Sequence, residues 1–223
     1  MKRSLCILLC LLLQLMSVHA ESYVVLSGAD NTIVEEKNKD EKQSVASISK
    51  IMTAVIAIEH GQLDESFAVD DEINKAYGSS VYLKQGQQVT MRDLLYGLML
   101  RSGNDAAVEI AKHVAGSQEA FVELMNRKAA EIGMSNTTFS NPSGLDEEDG
   151  GNISTANDMA VLMSYAMKNK EFRTITGSKY YTTDWNMRWK NKNRLLFDYP
   201  LPSAEKPASP KKGRADTGEC CGT

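Results

Sequence analysis

Residues 47–60 read Ser-Ile-Ser-Lys-Ile-Met-Thr-Ala-Val-Ile-Ala-Ile-Glu-His, with Ile, Met, Val or Ala on nearly every face of a helical wheel. A helix with no polar face has to be wrapped by other elements, so this stretch predicts a buried central helix. Gly61 is placed to end it. Such a helix leaves few places for polar chemistry, and two of them stand at its start. Ser47 lies three residues before Lys50, one turn away on the same face. That spacing sets a hydroxyl beside an amine that could take its proton. The plainer reading is that Ser47 caps the helix and Lys50 is solvated.

Capping signals set out the other helices. Thr90-Met91-Arg92-Asp93 resembles a capping box opening a helix to about Arg101. Helical spacing resumes from Asp105 to Ala115 and stops at Gly116. Ser117 caps a run ending at Gly133, and Thr155-Ala156-Asn157-Asp158 opens a helix to about Lys168. Strands are expected at Ser22–Ser27 and Thr32–Glu36, joined by Gly28-Ala29-Asp30-Asn31 as a hairpin, and at Tyr180–Thr183. The class is α+β and rich in helix.

Residues 1–20 read as a secretory signal peptide. Lys2 and Arg3 precede an apolar run from Leu5 to Leu15, and Val18-His19-Ala20 offers a small residue for cleavage before Glu21. An uncleaved N-terminal anchor is the alternative. The expected location is therefore exported, outside the cytoplasm. Without Lys2 and Arg3, 23 basic residues face 29 acidic ones, a net charge of −6. No basic stripe suggests nucleic acid. No cysteine occurs between residues 11 and 219, so an exported chain of this kind must rely on its packed core. The remaining length suits one domain, residues 21–199. Residues 200–223 hold four of the five prolines and no apolar periodicity, and read as an unstructured tail.

A lone Ser-x-x-Lys is weak, and the chain has three: Ser47/Lys50, Ser203/Lys206 and Ser209/Lys212. Only the first opens a buried helix. Ser102-Gly103-Asn104 is by itself an ordinary turn. His60 and His113 sit at predicted helix ends, where imidazole suits the dipole. Asp146-Glu147-Glu148-Asp149 could draw a cation but reads as a solvated loop. Met159, Leu162, Met163 and Ala166 form a core stripe. No metal-ligand spacing or phosphate loop is present, and no cofactor is implied.

Taken together, Val45-Ala46-Ser47-Ile48-Ser49-Lys50-Ile51-Met52-Thr53-Ala54 and Arg101-Ser102-Gly103-Asn104-Asp105-Ala106-Ala107 resemble the first two motifs of the secreted D-alanyl-D-alanine carboxypeptidases, the low-molecular-mass penicillin-binding proteins. Asn141-Pro142-Ser143-Gly144-Leu145, Ser154-Thr155-Ala156 and Ser22-Tyr23-Val24-Val25-Leu26 are also similar to that family. The resemblance covers about Ser22 to Tyr199. It implies a β-lactamase-like fold, a helical cluster with an antiparallel sheet, and hydrolysis of the terminal D-alanine from peptidoglycan stem peptides. It implies Ser47 as nucleophile, Lys50 as general base, Ser102 as proton relay to the leaving D-alanine, and Asn104 as orienter of substrate and Lys50. It also implies β-lactams as inhibitors and, for the intact protein, association with the outer face of the cytoplasmic membrane.

The family's third motif, Lys-Thr-Gly on a later strand, does not occur in the chain. Codons for Ala204 to Pro210, read from the third base, can give Gly-Lys-Thr-Gly-Phe-Thr. The expectation is thus a catalytic domain whose C-terminal strands are missing, an out-of-frame tail and little activity; the rival is a genuine divergent tail. Two other functions stay open. A class A β-lactamase shares the first motif but usually carries Ser-Asp-Asn at the second, and no glutamate motif for its deacylating water is found. A non-catalytic exported binding protein is the other. Labelling by fluorescent penicillin separates them.

Overall fold

The computed structural model describes residues 22–28, 30–145 and 151–198. The expected leader at 1–20, the acidic run at 146–149 and the tail at 200–223 lie outside the described residues. The helices are α1 (Lys50–His60), α2 (Met91–Arg101), α3 (Asn104–Ala115), α4 (Gln118–Glu131), α5 (Ala156–Ala166), α6 (Lys170–Gly177) and a short α7 (Leu195–Asp198). The strands form antiparallel pairs: β1 (Tyr23–Leu26) with β2 (Ile33–Lys37), β3 (Gln43–Ser44) with β6 (Ile153–Ser154), β4 (Ser66–Ala68) with β5 (Gln88–Thr90), and β7 (Tyr180–Thr182) with β8 (Arg188–Lys190). The class is α+β, as expected. Among the described residues each sheet has two strands.

The apolar helix occupies the centre. α1 packs against α2, α3, α4, α5 and α6, and its residues from Lys50 to Ala57 are all buried. Met52, Leu94, Leu95, Ile110, Phe121, Met125 and Leu162 have no exposed surface. Each such side chain stabilises the fold by about 1.5–3 kcal/mol through apolar burial.

Three expected caps form. Thr90 accepts from the Asp93 N–H at 3.1 Å while Asp93 accepts from the Thr90 N–H at 3.1 Å, a full capping box. Asp93 also accepts from the Tyr181 hydroxyl at 2.9 Å, tying β7 to α2. Ser117 and Thr155 each accept an N–H three residues on, at 3.1 Å.

The sequence reading did not include β3, β4, β5, β6, β8 or the short α7, and two further features depart from it. α6 was not expected: Asn169 caps it by accepting from the Glu171 and Phe172 N–H groups, and it buries only Phe172 and Ile175. Ser47 does not open the α-helix. Ala46–Ser49 form a 3₁₀ turn, and α1 begins at Lys50. No side chain caps either start, so Ser47 is not a capping residue. The turn is set from outside, because Ala46 has a positive φ of 42° that helical sequence alone would not choose.

Candidate active site

The 3₁₀ turn leaves Ser47 exposed while Lys50, on the first residue of α1, is only 3% exposed. The lysine Nζ lies 3.1 Å from Ser47 Oγ, as the one-turn spacing implied. Nζ also donates to the main-chain carbonyl of Ser143. One turn further along α1, Thr53 Oγ1 donates to the Pro142 carbonyl at 2.7 Å. The 141–145 loop is therefore pinned against the face of the helix that carries the lysine.

That loop is built to come close. Asn141 Oδ1 accepts from the Gly144 N–H at 2.7 Å and its amide donates to the Leu145 carbonyl at 2.8 Å. Asn152 holds Asn141 in turn through its N–H and carbonyl, at 3.1 and 2.9 Å. Gly144 has φ +74°, and a Cβ there would overlap the Ala46 carbonyl and the Ser49 hydroxyl. Only glycine lets the loop press on the turn that presents Ser47.

Burial, and secondarily the positive charge of Lys192, lowers the Lys50 pKa to about 8. Lys192 follows β8, and its N–H donates to the Leu100 carbonyl near the end of α2. At that pKa roughly a tenth of the amine is neutral at pH 7, against well under a thousandth for ordinary lysine. A neutral amine at hydrogen-bond distance can take the Ser47 proton as the hydroxyl attacks a carbonyl.

Ser102 ends α2 in the left-handed conformation, φ 61°. Asn104 opens α3 and is buried. Its side-chain amide donates to the Tyr77 carbonyl at 2.6 Å and its N–H to the Ser79 carbonyl at 2.7 Å. The described hydrogen bonds of Asn104 thus run to the 77–79 loop; none runs to Lys50. At Gly78 the same loop passes both Asn104 and Leu145, so a Cβ there would lie 3.0 Å from the Asn104 amide and 3.6 Å from Leu145. The 77–79 loop thus bridges Asn104 and the 141–145 loop, and the 141–145 loop in turn holds Lys50.

Three contributors escaped the sequence reading. The Ser143 carbonyl and the Lys192 charge both act on Lys50. Asp105, buried, accepts from the N–H groups of Val81 and Leu83 at 3.0 and 3.1 Å and from the Ser80 hydroxyl at 2.5 Å. His60 ends α1 with Nδ1 3.2 Å from the Ile56 carbonyl, and His113 stacks on Phe67 at 3.6 Å, where burial lowers its pKa. Among the described residues no group of three His, Cys, Asp or Glu could hold a metal.

A family model described as D-alanyl-D-alanine carboxypeptidase, peptidase S11, matches residues 12–204. The chain belongs to this family. Among its relatives, D-alanyl-D-alanine carboxypeptidase DacF of Bacillus subtilis is 36% identical over 190 residues, covering 81% of this chain and 48% of that protein. DacC of Escherichia coli is 38% identical over 197 residues, covering 83% and 48%. The chain spans about half the length of these two curated relatives. A solved D-alanyl-D-alanine carboxypeptidase from Mycobacterium tuberculosis aligns with a TM-score of 0.76 at 33% identity, over 81% of this chain and 69% of the other. Penicillin-binding protein 6B of Escherichia coli aligns at 0.74 and 32%, over 83% and 61%. The fold is thus that of the D-alanyl-D-alanine carboxypeptidases.

Proposed function

We propose that this chain carries the acylating centre of a serine-type D-alanyl-D-alanine carboxypeptidase acting on peptidoglycan stem peptides. The observation that carries the reading is the buried Lys50 amine 3.1 Å from Ser47 Oγ, with a pKa lowered to about 8. Ser47 Oγ attacks the carbonyl of the penultimate D-alanine as Lys50 takes its proton. The C–N bond breaks, Ser102 relays the proton to the departing amine, and the peptide stays esterified to Ser47. Water then releases it as the free acid. Asn104, fixed by the Tyr77 carbonyl through its amide hydrogen, offers Oδ1 to a substrate N–H. β-Lactams acylate the same hydroxyl.

The site works outside the cytoplasm, after export by the leader and in association with the outer face of the cytoplasmic membrane. The second motif is Ser102-Gly103-Asn104, and the named relatives are carboxypeptidases; both favour this reading over a β-lactamase. Mass spectrometry after penicillin treatment tests it. The adduct is expected on Ser47; an adduct on Ser203 or Ser209, or none, sinks the assignment.

We propose as well that the 223-residue chain turns over slowly. Its sequence has no Lys-Thr-Gly, the motif whose strand supplies the second oxyanion donor by the family resemblance, and loss of one such donor typically costs ~10²–10³ in turnover. A version with the frame restored upstream of Glu205 should release D-alanine far faster from a D-Ala-D-Ala peptide. Equal, substantial release by both would refute the reading of residues 200–223 as out of frame.

A further inference from the structure

Six non-glycine residues among those described have positive φ: Asn31, Asn38, Ala46, Tyr82, Ser102 and Asn186. Asparagine tolerates the left-handed region, so three need no further account. Of the others, Ala46 precedes the nucleophile and Ser102 belongs to the second motif. The third is Tyr82, φ 63°, a bulky aromatic for which this conformation is an outlier.

The strain at Tyr82 is held in place from several sides. Asp105 accepts from the N–H of Val81 on one side and of Leu83 on the other. The Tyr82 N–H donates to Ser80 Oγ at 2.8 Å, and that hydroxyl donates to Asp105. A buried carboxylate at the start of α3, next to Asn104, thus fixes this bend. Yet the side chain so fixed is 82% exposed, the most exposed of the large hydrophobic residues described. The bend turns Val81 and Leu83, on either side, into the core and leaves the Tyr82 ring in solvent, where its own packing does not call for it. Strained residues held by their surroundings cluster at ligand-contacting positions.

The bend lies against the site. Val81 packs on the Ser102–Asn104 turn, its methyl carbons 3.1 and 3.3 Å from where a Cβ of Gly103 would sit. Ile48, beside Ser47, is also exposed, at 55%. On the leaving side of the scissile bond the substrate has a single D-alanine. Nearly all of the peptide's length therefore lies on the side preceding that bond, where it can reach an exposed ring next to the Val81 contact with the Ser102–Asn104 turn.

We infer that Tyr82 is a substrate-contacting residue, whose ring packs on the stem peptide upstream of the D-Ala-D-Ala end and selects long peptides over short ones. The inference rests on the proposed carboxypeptidase reading and adds a specificity determinant to it. Asp105 acts through Tyr82 as a positioning residue.

The test uses the full chain with Ser47→Ala, so that peptide is bound but not turned over. Its eight tyrosines are replaced by 3-fluorotyrosine, and the Tyr82 fluorine signal is the one lost in Tyr82→Phe. Adding L-Ala-γ-D-Glu-L-Lys-D-Ala-D-Ala should shift that signal saturably, and N-acetyl-D-Ala-D-Ala should not. Tyr82→Ala should weaken binding of the long peptide about 3- to 10-fold, the range of an aromatic contact, and leave the short one unchanged. Tyr82→Phe, which keeps the ring, should bind the long peptide within about twofold of the parent. An unmoved Tyr82 signal at high concentrations of the long peptide, or equal weakening for both peptides, overturns the inference. Penicillin labelling of the chain with Ser47 intact decides the acylation reading separately, whatever the fluorine signal does.

Discussion

The α1 helix and the β1–β2 hairpin both carry apolar side chains, Ile51 to Ile58 in one and Tyr23 to Leu26 with Ile33 and Val34 in the other, and their surroundings differ. Five helices enclose α1, and even its lysine is 3% exposed. In the hairpin every residue of β2 is exposed, with Val34 at 69% and Ile33 at 44%. Between the hairpin and α5 runs an open groove of ≈ 710 Å³ lined in part by Val24, Leu26, Met163 and Met167. Apolar content alone does not make a core; what matters is how many elements close over it. Ser47 is open to solvent, while Lys50 beside it sits where closure is complete. That is also where low polarity of the surroundings can move a lysine pKa.

Matched glycine substitutions give the largest expected contrast. Gly144→Ala forces a Cβ into the Ala46 carbonyl at φ +74°. It should destabilise by about 4 kcal/mol or more, lower the melting temperature by roughly 8–16 °C, and abolish Ser47 labelling. Gly28→Ala, in the hairpin, meets nothing within 4 Å and should stay within about 0.5 kcal/mol of the parent. Similar losses at both positions would break the comparison.

Truncations sharpen it at smaller scale. Met52→Ala, at a position with no exposed surface, should cost about 2–5 kcal/mol in urea unfolding. Val34→Ala, mostly in solvent already, should cost about 0.5 kcal/mol or less. A loss at Val34 as large as at Met52 would mean that the hairpin face is covered in solution.

Local chemistry was legible in the sequence, and contacts between distant main-chain groups were not. Thr90, Ser117 and Thr155 announced their helices because each cap is a side chain bonding an N–H three residues away. Ser47 and Lys50 were legible as a pair because one turn separates them. The 3₁₀ turn under Ser47 was not, since it depends on Gly144, almost a hundred residues later. The Ser143 contribution is a carbonyl, which every residue has. Asp105 reads as part of a turn motif, while its partners are N–H groups more than twenty residues earlier. The short α6 was missed because two buried residues give almost no periodic signal.

The central claim is that a buried, partly neutral Lys50 activates Ser47. The pH dependence of Ser47 acylation by a fluorescent penicillin tests it most directly. The neutral amine is the active form, so the rate should rise about tenfold per pH unit below the lysine pKa and level off above about 8. Lys192→Gln removes a charge that lowers this pKa, so its midpoint should move to higher pH. Lys50→Ala should fold, since alanine favours helix, and lose acylation about 10³-fold or more at every pH. A rate that is flat from pH 6 to 9, or a folded Lys50→Ala chain that acylates normally, would contradict the account.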